Sequence, residues 1–279
     1  MVKKMLFPVG MFLLTVIFLL SGCDSFYSTS WGTPRKYDPK NIKITVDNID
    51  EWIDAAVGNP DLAEAVTEAV KEKVKNMEDK DPDKAKLQEA GVTLAVEASG
   101  LGTILLSNMD TLADLLGESD EEDDSTADAV KDFLETIQND YNDAGGSKAA
   151  SNLAEIVEPK GGYGGNGDAP KLSEGYADIA KPSDVSQAIV ILLLEVLNQE
   201  DIDAADIFED DFDIESLDIG LTIDEITGLV VIDGDDTSIE AKALAAYLNL
   251  LIEDDEGVYD SNDILKSLKD ALLSNGEED

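Results

Sequence analysis

Lys181-Pro182-Ser183-Asp184 followed by Ala188-Ile189-Val190-Ile191-Leu192-Leu193-Leu194 and then Val196-Leu197 is the stretch that decides the fold class. Proline is tolerated in the first turn of a helix, so Pro182 marks a start. The apolar residues after it leave no polar face. A helix that is apolar all round is buried on every side and belongs at the centre of a core. A run of about ten residues is too short to cross a bilayer, which takes about 20.

Working outward, the helical period recurs on both sides. Toward the C-terminus, amphipathic helices are expected at about 238–252 and 262–273. Toward the N-terminus, Ile49, Trp52, Ile53, Ala56 and Val57 share one face of a helix. Asn59-Pro60-Asp61 restarts a second, with Leu62, Ala65, Val66, Ala69, Val70 and Val74 on its stripe. Asp81-Pro82 opens a third, expected to run to about Leu116, with small residues at Gly91, Ala95, Ala98, Gly100 and Gly102. Small residues let helices approach closely, and Gly100-Leu101-Gly102 marks a kink or break. An acidic loop at 117–125 leads to a helix capped near Ser125, carrying Ala129, Val130, Phe133, Leu134 and Ile137. A shorter helix at about 147–157 comes after Ala144-Gly145-Gly146. Gly228-Leu229-Val230-Val231-Ile232 is the only plausible strand. The expected fold is mainly α: helical hairpins packed as one or two bundles, with at most one minor strand or hairpin. A helix, acidic loop, helix pattern near 91–141, 185–219 and 241–273 is too irregular for a repeat array.

The chain divides into residues 1–22, 23–46, 47–158, 159–181 and 182–279. Pro159 and six glycines mark 159–176 as a mobile loop between two helical halves. Gly162-x-Gly164-x-x-Gly167 matches the dinucleotide fingerprint by letter, but no strand precedes it and Pro170 stands where a helix is required.

The first residues are tripartite. Lys3 and Lys4 form a short basic region, Met5 to Leu20 an uncharged apolar region, and Leu20-Ser21-Gly22-Cys23 a small-residue terminus. These four residues resemble the lipobox of bacterial lipoprotein precursors. That resemblance implies cleavage before Cys23, lipid on its sulfur, and more than one acyl chain for stable anchoring. Phe26-Tyr27-Ser28-Thr29-Ser30-Trp31-Gly32 is similar to the segment just after the lipobox in some spirochaetal lipoproteins. The expected location is the cell envelope, lipid-anchored on the periplasmic or outer surface. Residues 23–46 read as a tether that, as a flexible coil, spans about 25–30 Å. Its Phe26, Tyr27, Trp31 and Tyr37 beside Arg35, Lys36, Lys40 and Lys43 suit a headgroup interface.

The chain carries 20 basic and 62 acidic residues, a net charge of −42, which loss of Lys3 and Lys4 with the signal takes to −44. Nucleic acid and anionic lipid are recognised through Lys and Arg, so such a body repels both. There is no histidine, which removes histidine general bases, Ser-His-Asp nucleophiles and histidine-bound metals. Cys23 is the only cysteine, so disulfides and thiolate catalysis go too. No catalysis and no cofactor are expected, and an apolar content of 43% supports a sizeable core.

Between Lys181 and Lys242 no basic residue interrupts eighteen Asp and Glu. Calcium takes oxygen ligands, which makes Asp233, Asp235 and Asp236 weak divalent-cation candidates. A calcium-loop register from Asp211 or Asp233 puts Ser216 or Ser238 where glycine is needed, and Thr222 or Leu244 where glutamate is needed. Solvated acidic loops are the simpler reading. Three roles remain: a structural or interaction domain, with a basic protein as partner; a module for a hydrophobic ligand such as a fatty acid, in a groove near Gly91–Leu106; and the weak cation site.

Overall fold

A computed structural model of the chain describes residues 38–102, 104, 135–161, 169–202, 220–224, 227–232, 237–254, 256–262, 265, 266, 268 and 269. The fold is mainly α, with one small antiparallel hairpin. Helices α1 (Ile49–Ala56), α2 (Pro60–Lys75) and α3 (Pro82–Ala98) come first. Next come α4 (Gly146–Val157), α5 (Glu174–Ala177) and α6 (Pro182–Gln199). Strands β1 (Leu221–Ile223) and β2 (Val230–Ile232) precede α7 (Ile239–Ile252).

The starts follow from local chemistry. Asn59 accepts a hydrogen bond from the Leu62 amide ahead of Pro60, and Asp81 does the same for Asp83 ahead of Pro82. Ser238 accepts from Ala241 at the start of α7. Each side chain satisfies an amide that the helix itself leaves open. Helix α3 stops well short of Leu116. Gly100 takes a φ of +67°, the Ser99 hydroxyl accepts from the Leu101 amide, and residues 101, 102 and 104 are helical again beyond the break. Residues 135–143 are helical, with Ile137 and Tyr141 buried. The expected acidic loop at 117–125 and the start of that helix lie outside the described residues. So does most of the helix expected at 262–273, of which 265, 266, 268 and 269 are helical.

Two buried clusters meet at α3. The smaller one joins α1, α2 and one side of α3 through Ile49, Ala56, Leu62, Val66, Val70, Leu87, Ala90 and Leu94. Ile44 is buried in it, with Ile42 and Val46 packed alongside. The folded body therefore begins inside the expected tether, ahead of residue 47. The larger cluster takes Val92 and Ala95 from α3, Leu153, Ala154 and Val157 from α4, and then α5, α6, β1, β2 and α7. Helix α6 sits where its composition demanded, with Val185, Ala188, Ile189, Ile191, Leu192, Val196 and Leu197 buried. Because α4 belongs to this cluster, the two helical halves share one core across 159–181.

The end of that expected loop is structured as well. Lys160 and Lys171 exchange backbone hydrogen bonds of 2.8 and 2.7 Å, and Leu172, Tyr176 and Ala180 enter the core. The fingerprint-like glycines at 162–167 lie outside the described residues. Gly91 answers the groove expectation at its position: a Cβ there would meet Ile156 and Val70 at 3.0 Å, so the missing side chain makes room for packing.

The strand at 228–232 forms over Val230–Ile232. Its partner, β1, lies within the acidic stretch, with Leu221 opposite Ile232 and Ile223 opposite Val230. Asn249, fully buried on α7, holds β2 by pairing with both backbone groups of Val230 at 2.7 and 2.8 Å, and donates to Pro170 O at 3.0 Å.

Candidate functional site

The sequence-derived site residues fall outside the described part of the fold: Cys23 precedes it, and Asp233, Asp235 and Asp236 lie in the gap between β2 and α7. The structure instead builds a cleft of about 540 Å³ from segments far apart in the chain. One wall is the turn between α2 and α3 with the start of α3, where Asp79, Lys84 and Gln88 stand. Lys160, just past α4, and Ser173 and Asp178 around α5 close it.

Its side chains form two linked sets. Lys84, 4% exposed despite its charge, donates to Asp79 Oδ1 at 3.0 Å and to Glu158 Oε2 at 2.6 Å. Lys160 donates to the second oxygen of Asp79. Glu158 comes directly after α4 in the left-handed region, with φ +45°. A non-glycine residue held there costs about 1–2 kcal/mol, offset here by a charge-assisted bond to a buried ammonium. Deeper in, Gln88 donates to Ile156 O at 2.9 Å and accepts from the Ser173 hydroxyl at 3.0 Å.

These contacts set the electrostatics. The hydrogen bonds from Lys160 and then Lys84 bring the Asp79 carboxyl down to about 2. Burial pulls Lys84 down, but hydrogen bonds to Glu158 and Asp79 outweigh it and hold the ammonium above its ordinary value. Both groups are thereby fixed in their charged forms. A general acid or base must change protonation near the working pH, and these do not. The carboxyls that are raised, Glu97, Asp184 and Glu195, lie elsewhere, on α3 and α6. Among the described residues no group of three Asp, Glu, His or Cys converges as a metal site.

The ion pairs form a clip that fastens the α2–α3 turn and the start of α3 to the end of α4, and the Ser173–Gln88 hydrogen bond ties in the start of α5. Sequence reading did not single it out, although one signal was there. Lys84 stands two turns before Gly91 and Gln88 two turns before Ala95, on a face that is otherwise apolar or small. No family model matches this chain, and no curated protein or solved structure matches it either.

Proposed function

We propose that the chain is an exported lipoprotein, cleaved before Cys23 and anchored through lipid on that cysteine, whose acidic helical body acts as a structural or interaction domain of the cell envelope without catalysis. The observation that carries this reading is Leu20-Ser21-Gly22-Cys23 behind a basic and then an apolar region. Two features of the body support it. No helix among the described residues is long and apolar enough to cross a membrane. At the cleft, Asp79, Lys84, Glu158 and Lys160 satisfy one another. A basic protein is the partner that a surface of this charge attracts at long range.

The test is intact-mass analysis of the protein extracted from membranes of an expressing bacterium. The expected result is an N-terminus at Cys23 carrying the added mass of two or three acyl chains, with Cys23→Ala neither acylated nor cleaved there. A wild-type protein that keeps residues 1–22, or starts elsewhere without acyl mass, rules the reading out.

A further inference from the structure

At the end of the large core where α4, α6 and α7 meet, two glutamates are buried that the cleft does not use. Glu195 on α6 is 7% exposed and Glu240 at the start of α7 is 6% exposed. One oxygen of Glu195 accepts from Gln199 Nε2 at 3.2 Å, and the Ser147 hydroxyl at the start of α4 also donates to this carboxyl. Its other oxygen, Oε2, is buried with no hydrogen-bond partner among the described residues. An unmatched oxygen on a buried anion is among the most costly arrangements a fold can hold, and a proton on it removes the charge and the mismatch together.

Among the described residues the surroundings offer no other remedy. From α7 comes the Glu240 carboxylate, a like charge. From residues 135–143 comes Tyr141, fully buried, whose hydroxyl donates to Ile191 O at 3.3 Å. Burial first, then the charges of Glu195 and Glu240, keep that phenol from ionising. From α4 come Ser147 and the neighbouring Lys148, whose ammonium pairs with Glu64 and Glu68 on α2. From α6 itself comes Gln199. Burial pushes the Glu195 carboxyl above the ordinary glutamate range, the donors Ser147 and Gln199 pull it back, and Glu240 adds to the rise.

We propose that Glu195 is a proton-operated lock: as the neutral acid it lets α4, α6, α7 and residues 135–143 close on one another, and as the carboxylate it loosens that end of the core. Linkage fixes the sign. A carboxyl whose folded-state value is raised contributes stability that is complete below its unfolded value, near 4.5, and is lost as pH rises through the folded value. The same body is then tighter in an acidic surrounding than in a neutral one, without histidine.

The experiment compares the full chain with Glu195→Gln, which carries the neutral shape permanently, and with Glu72→Gln, which removes one exposed charge elsewhere. Urea midpoints are followed from about pH 5 to about pH 8. The expected result is a midpoint that falls with pH in all three, because the raised Glu97 and Asp184 carboxyls also titrate, but falls least in Glu195→Gln, which is the most stable of the three at the upper end. Parallel profiles for all three overturn the proposal. Carbon-13 titration of the glutamate carboxyls, with the Glu195 signal assigned by its absence in Glu195→Gln, decides independently of the variant's stability. A midpoint above the ordinary glutamate range that drops in Glu240→Gln supports the lock, and one at or below that range overturns it.

Discussion

Gly91 shows how much a single missing methyl group can carry. It stands at the crossing of α3 with α2 and α4, where a Cβ would lie 3.0 Å from both the Ile156 and the Val70 side chains. Neither neighbour has room to retreat, since both are fully buried. Alanine in place of glycine inside a helix gains about 1 kcal/mol from propensity. Forcing extra volume into a closed core costs about 1–3 kcal/mol. The second term prevails, and Gly91→Ala is expected to lower stability by about 1 kcal/mol, read as a reduced urea midpoint at unchanged slope. A gain in stability would show that the helices can part there. The glycine and alanine content of this helix was legible in the sequence as a close-packing signal. The partners were not, because Val70 and Ile156 come from helices on either side of it in the chain.

Among the elements, the α2–α3 turn and the end of α4 depend on each other through Asp79, Lys84, Glu158 and Lys160. The Asp79 carboxyl, held at about 2 against an ordinary 3.8, contributes stability that is present above its unfolded value and lost as pH falls through the folded one. The window is therefore acidic, below about pH 4. The hydrogen bond from Lys160 and then that from Lys84 are the largest causes of this depression, followed by the charges of Lys84 and Lys160. Lys160→Met and Lys84→Met are each expected to move the Asp79 titration toward 3.8, by carboxyl NMR. Stability separates the two. Lys84 is buried and its loss strands Glu158, at a cost of about 1.5–3 kcal/mol, whereas Lys160 is half exposed and costs less. Helix starts were readable where proline comes after a capping residue, as at Asn59-Pro60 and Asp81-Pro82. The break at Gly100-Leu101-Gly102 was readable too: Gly100 takes a left-handed φ and ends α3, and residues 101, 102 and 104 are helical again beyond it. Strand β1 stayed hidden because three residues in an acidic stretch carry no period, and what fixes the hairpin is an amide from Asn249 on α7.

Across the whole molecule, scarce positive charge is spent on joining distant pieces. Lys71 bonds to Asn152 and Glu155, Lys148 to Glu64, Lys171 to Glu253, Lys181 to Glu89 and Lys269 to Asp254. The remaining acids repel one another, and a net charge of −42 opposes the compact state. Salt screens exposed charges beyond about 8 Å at 0.15 M, which weakens that repulsion at long range more than it weakens the short contacts made by the lysines. Stability is expected to rise as sodium chloride is added from about 20 to about 300 mM, monitored by thermal unfolding. A falling midpoint would mean that the lysine contacts outweigh the collective repulsion. The pair of backbone hydrogen bonds between Lys160 and Lys171 has a consequence of another kind. It clamps the two ends of the glycine-rich stretch, so the entropy of bringing them together is fixed at the clamp and not by the residues in between. Doubling the length of chain there adds only about 0.6 kcal/mol, which makes this stretch the natural point for a family to gain or lose residues, or for a reporter peptide to be spliced in.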